Sequence, residues 1–193
     1  MNLKVNLWVD KMEIARTFDL PNTKLLAVKF DGEELDALEM LQEQWASVEF
    51  LWEFFTRFQK DYYEKYGKSN RSKLVRQAQD LADDLFEKLH ELAQDVESDE
   101  LADFFKPLYN KEQAADPYEL QKLKAKGEER KSFLRIYAIR YKGTIIVTGG
   151  AIKLTDRMED RSHTNDELKK LELVKTFLDK DNLDVEFGYI DVK

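Results

Sequence analysis

The chain has 193 residues, 42% hydrophobic and 36% charged, with a formal net charge of -8, a length suited to one domain with a sizeable core. It holds no cysteine, which excludes disulfides, thiolate metal sites and a cysteine nucleophile, and its 2 histidines, His90 and His163, are too few for a multi-histidine metal cage. No window approaches about 18 uncharged apolar residues, and the N-terminus has an early acidic residue and no small-residue cleavage site, so neither a membrane span nor a signal peptide is expected and a cytoplasmic setting is the default.

Leu3, Val5, Leu7 and Val9 alternate with polar residues at the period of a half-buried strand. A second strand is expected over Lys24–Phe30, after Asp19-Leu20-Pro21-Asn22 has interrupted the chain. Asp31, with Glu34 three positions on, reads as the cap of a helix carrying Leu35, Leu38 and Leu41. From Ala46 to Tyr66 the chain is rich in aromatics, and Leu51, Phe55, Phe58 and Tyr62 draw one helical stripe with Val48 and Trp52 beside it. Such a wide apolar sector suits either a helix buried on both sides or a docking groove for a partner helix.

Gly67 ends that helix, and Ser69 or Asn70 caps the next, whose apolar positions from Leu74 to Val96 alternate steps of three and four. Its other face is acidic. Asp80 and Asp84 have a spacing that could hold a divalent cation, but such a row is ordinarily a solvated face, and no metal site is assigned. Ser98 begins a short helix stopped by Pro107, and residues 110–131 read as a charged loop or a broken helix that brings Lys122, Lys124, Lys126 and Arg130 towards the next element.

That element, Phe133 to Thr155, is the strongest local signal. Leu134, Ile136 and Ala138 alternate with Arg135, Tyr137 and Ile139, so that one side is apolar and the other carries Arg135 and an aromatic; Lys142-Gly143 offers a reversal, and Thr144–Thr148 returns as a β-branched run. Gly149-Gly150 permits a bulge or a close backbone approach before a third strand, Ala151–Thr155. Residues 120–163 hold 11 Lys or Arg against 5 Asp or Glu, the asymmetry of an anion-binding face on an acidic body. Thr164 to Glu167 reads as a capping box for a helix through Leu178, and Leu183–Val192 as a closing strand.

Phe105-Lys106-Pro107-Leu108, the basic run Lys122–Lys131, Leu134–Tyr141, Ile145–Thr155 and the threonine at 164 follow one another in an order that resembles the RelE/HigB-like toxin superfamily of toxin-antitoxin modules. The resemblance covers about residues 70–180. It implies an α+β fold, an antiparallel sheet with helices packed on one face, here a toxin-like core at 70–193 preceded by a strand and helix extension at 1–69 within a single domain. It also implies RNA binding or ribosome-dependent endoribonuclease activity in a toxin-antitoxin or phage-derived module, with an antitoxin protein and mRNA on the ribosome as partners, self-association as a further possibility, and no cofactor. Carried over by position, Arg135, Arg140, Lys153 and His163 would serve catalysis, and Lys124, Lys126, Arg130, Tyr137 and Tyr141 would hold RNA. Arginine suits a transferring phosphate because its planar fork matches two oxygens, and tyrosine can stack on a base. The alternative is a noncatalytic protein-interaction module with a toxin-like fold.

Overall fold

A computed structural model describes residues 12–18, 20, 22–108, 122–125 and 132–180. Strands β1 (Met12–Arg16) and β2 (Leu25–Phe30) are followed by helices α1 (Ala37–Ala46), α2 (Val48–Arg57), α3 (Gln59–Tyr66), α4 (Arg71–Gln94) and α5 (Glu100–Phe104). Strands β3 (Lys106–Pro107), β4 (Lys122–Ala125), β5 (Leu134–Tyr141) and β6 (Thr144–Ile152) come next, then a 3-10 turn at Met158–Asp160 and helix α6 (Ser162–Lys180). The expected strands at Leu3–Val9 and Leu183–Val192 lie outside the described residues, as do Lys126 and Arg130.

The α+β class is as expected. The sheet, ordered β1-β2-β6-β5-β4-β3, is mixed rather than wholly antiparallel, because β2 runs parallel to β6 with Leu25 opposite Ile145 and Ala27 opposite Val147. Helices cover both faces, not one. Leu134, Ile136 and Ala138 of β5 point into a core shared with α1, α2 and α4, while Tyr137, Ile139 and Tyr141 point into a second core with Leu171, Val174 and Leu178 of α6. A strand apolar on both sides needs a cover on each, and α6 supplies the second.

Two helix starts differ from expectation. The cap of α1 is Asp36, whose carboxylate accepts from the Leu38 and Glu39 amides at 2.8 and 2.9 Å while Glu39 accepts from the Asp36 amide at 3.0 Å. Asp31 begins the same Asp-x-x-Glu pattern, but Gly32 follows it at φ 85°, a left-handed turn that a first helical residue does not adopt. At the other end of the chain α6 starts at Ser162, so Thr164 lies inside its first turn with its hydroxyl donating to the Met158 and Arg161 carbonyls.

The aromatic stretch forms two helices, α2 and α3, with breaks at Ser47, whose hydroxyl accepts from the Phe50 amide, and at Phe58. The breaks turn Leu51, Phe55 and Tyr62 inward, leaving Val48 and Trp52 outside, with the Arg71 guanidinium 5.0 Å over the Trp52 ring. Most of the sector expected to dock a partner is therefore core. α4 is capped by Asn70, one of the two residues anticipated.

Lys142 and Gly143, both at positive φ, turn β5 into β6 as an I′-type hairpin requires. The register slips at Thr148, because Tyr137 faces Gly149 while Ala138 faces Val147, which is a bulge. Ala151 and Ile152 continue the same strand, so the expected third strand is the end of β6. The basic loop before the hairpin contains β4, which pairs with β5 through Leu123 and Ala138.

At Gly150 an added Cβ would lie 2.5 Å from the Arg135 carbonyl oxygen and 2.8 Å from Leu41 Cδ1. Replacing Gly150 by Ala is expected to lower unfolding free energy by about 1–3 kcal/mol, the range for overpacking, whereas losing the α4 cap in Asn70→Ala removes about 1 kcal/mol. Urea denaturation of both variants tests the ranking, and a neutral Gly150→Ala would contradict the close approach.

Candidate functional site

The parallel pair sets the position of the site. β2 and β6 end on the same side of the sheet, β2 leading to α1 on one face and β6 to α6 on the other. Adjacent parallel strands whose helices depart to opposite faces leave a crevice outside their carboxyl ends, where α/β sheets commonly bind ligands. A cavity of about 370 Å³ lies there. Its floor is Gly149–Ile152 of β6, α1 supplies Leu41 and Trp45, α2 supplies Phe54 with Phe58 just past its end, and α6 supplies His163, Glu167 and Lys170.

Two glycines make the crevice possible. A Cβ on Gly149 would collide with the Glu167 carboxylate, and one on Gly150 with Leu41. Both helices thus reach the sheet at consecutive residues, one from each side.

His163 and Glu167 are four residues apart on α6 and share one helix face. His163 Nε2 lies 3.0 Å from the Ile152 carbonyl, which can only accept, so Nε2 carries the hydrogen. Burial pulls the imidazole pKa below its usual value, outweighing that hydrogen bond. The ring is therefore neutral and Nδ1 is an acceptor. Nδ1 is buried without a hydrogen-bond partner among the described residues, and the Phe54 and Phe58 rings pack 5.2 and 4.7 Å from the imidazole.

Glu167 is 5% exposed. Its Oε1 accepts from Lys170 Nζ at 2.8 Å, while Oε2 has no partner among the described residues. Burial raises the carboxyl pKa, and the Lys170 ammonium offsets this only in part. Beneath α6 the Tyr137 hydroxyl is likewise buried and unpartnered, and its pKa is pushed up by burial. Arg161 donates through Nε and Nη2 to the two oxygens of Asp61 at 2.7 and 2.6 Å, tying the start of α6 to α3.

Of the residues expected to act on RNA, Lys124, Arg135 and Lys153 share the sheet face that α6 covers further along, and Arg140 lies on the opposite face. Arg135 Nη1 donates to the Ser132 and Leu134 carbonyls at 2.9 and 2.6 Å, and burial lowers its pKa. Lys153 Nζ donates to the Thr155 carbonyl at 2.7 Å; burial first, then Lys65 and Arg135, lower its pKa. Lys124 Nζ donates to the Leu108 carbonyl at 2.9 Å. Arg140 Nη2 instead reaches the Ala102 carbonyl of α5 at 3.0 Å. Tyr137 and Tyr141, expected to stack on bases, are 1% and 2% exposed because the second core takes up their rings. His163 lines the crevice with Glu167, and none of Arg135, Arg140 and Lys153 does.

Glu167 was legible only as part of a capping box. Its signal as a site residue was the series His163, Glu167, Lys170, which repeats along one helix face at steps of four and three.

The two acceptors give opposite pH dependences. Above the usual glutamate value of 4.5 the folded chain keeps the Glu167 proton longer than the unfolded chain, so this group's contribution to stability falls as pH rises through that window. His163 is harder to protonate when folded, so stability falls as pH drops below its usual value of 6.5. Subtracting urea stabilities of Glu167→Gln and His163→Gln from those of the parent across pH should reveal slopes of opposite sign, and parallel profiles would contradict the burial of both groups.

Comparison with family models, with curated proteins and with solved structures finds no match to this chain in any of the three.

Proposed function

We propose that the protein is a small-molecule-binding domain whose ligand sits in the crevice at the carboxyl ends of β2 and β6. The observation that carries this reading is the pair of buried, unpartnered acceptors, His163 Nδ1 and Glu167 Oε2, on one face of α6 beside an aromatic-lined cavity. Buried polar groups are ordinarily satisfied, and an exception calls for an explanation such as a bound partner. A cavity of about 370 Å³ is within the range of ligand pockets.

Ser162 lines the mouth and is exposed, so Ser162→Trp should obstruct entry without disturbing a core. In a thermal-shift screen, a true ligand at 100 times its Kd stabilises the parent by about 2.7 kcal/mol and leaves Ser162→Trp unmoved. A library without any hit dependent on Ser162 counts against the pocket.

A second reading keeps the toxin-like expectation, an RNA-binding protein that uses Lys124, Arg135 and Lys153. Its support is that these cations share one face and that Lys65, Arg135 and Lys124 each lower the Lys153 pKa, as neighbouring positive charges do. Affinity for single-stranded RNA should then fall with salt, and Arg135→Ala with Lys153→Ala together should flatten the log-log slope by about 1–2 units. A slope indifferent to both substitutions, or no binding at low salt, would leave these side chains a structural role only.

A further inference from the structure

We propose that the crevice binds a monocarboxylate with an apolar body, the body inside the cavity and the carboxylate at its rim against the Arg57 guanidinium. The inference rests on the pocket reading and adds the chemistry of its occupant.

The walls set the character of the enclosed part. Leu41, Trp45, Phe54, Phe58 and Ile152 line the cavity, and a polar group set among them without a hydrogen-bond partner would be costly to desolvate. At about 370 Å³ the space lies at the small end of ligand pockets, enough for one chain or a pair of rings. The enclosed part of the occupant is therefore apolar and compact.

The rim sets the charge. Four charged residues belong to the lining, and two of them neutralise each other, since Lys170 Nζ donates to Glu167 Oε1 at 2.8 Å. Glu53 and Arg57 remain, both exposed and one turn apart on α2. Among the described residues Arg57 forms no ion pair, with Glu53 or with any other acid. Its guanidinium lies 5.3 Å over the ring of Phe58, and that ring is 4.7 Å from Phe54 and 4.7 Å from the His163 imidazole, so the cation stands against the aromatic wall of the cavity. The imidazole registers the charge: burial lowers the His163 pKa, and Arg57 lowers it further. A guanidinium presents a planar fork that matches the two oxygens of a carboxylate. One cation calls for one negative charge, because a dianion would leave its second charge beside Glu53.

Decanoate and decylammonium carry similar chains and differ in the sign of the head, so their relative affinity for the full chain, measured by titration calorimetry, reports on the rim. Decanoate should bind the tighter of the two. Arg57→Gln should lower the ratio of decanoate to decylammonium affinity by about fivefold, the worth of an accessible ion pair. Glu53→Gln should raise the ratio, and Lys60→Gln, which removes an exposed cation of α3 outside the lining, should leave it unchanged. A parent that prefers decylammonium, a ratio that Arg57→Gln leaves as it was, one that Glu53→Gln lowers, or one that Lys60→Gln lowers as much as Arg57→Gln does would each overturn the carboxylate inference. If decanoate does not bind but the neutral dye Nile red binds in a manner lost in Ser162→Trp, the pocket stands and the inference about its occupant fails. If neither binds, both fail.

Discussion

Two consecutive residues without side chains, Gly149 and Gly150, fix the arrangement of the molecule. They occupy the strand at the centre of the sheet, where α6 presses from one side through Glu167 and α1 from the other through Leu41. A methyl group at Gly149 would collide with the Glu167 carboxylate, and one at Gly150 with the Arg135 carbonyl and the Leu41 side chain. With both helices close, β6 can serve two cores at once, and the crevice is left between the helix starts rather than being filled by the strand's own side chains. The same contact carries a carboxyl group into a largely apolar interior, which is why Glu167 is hard to ionise there.

Much of the fold could be read from periodicity. The β5–β6 hairpin, the turn at Lys142-Gly143, the irregularity at the diglycine and the long helix capped by Asn70 all follow from local patterns of apolar and turn residues. The parallel pairing of β2 with β6 was not legible, because it joins strands more than a hundred residues apart and leaves no local signature. Nor was the second core. The alternation in β5 sets an apolar side against one that carries Arg135 and an aromatic, and it does not reveal that Tyr137, Ile139 and Tyr141 together make the second side an apolar surface for α6 to cover. Two Asp-x-x-Glu sequences stand five residues apart before α1, and only the position of Gly32 tells which of them caps a helix.

The site was legible in part. His163 was identifiable as the imidazole nearest the hairpin, though the partners expected for it were cations, and the residue that shares its cavity is an acid one turn along the helix. The positive charge concentrated in residues 120–163 is real, yet charge counts carry no information about orientation. Arg140 and Arg135 differ by an odd number of residues across a regular strand and so leave the sheet on opposite faces. Lys124, Arg135, Arg140 and Lys153 each donate to a backbone carbonyl, a structural use of cations that composition does not distinguish from a binding surface.

The paired hydrogen bonds between Arg161 and Asp61 tie the start of α6 to α3. Arg161 stands immediately before α6, and Asp61 belongs to the helical layer on the far side of the sheet, so the pair joins the two layers directly. The guanidinium is partly open to solvent while the carboxylate is buried, so dissolved ions reach one end of the pair only. With one end withdrawn from water, the pair is screened less than an exposed one would be, and the join between the two layers persists as ionic strength rises.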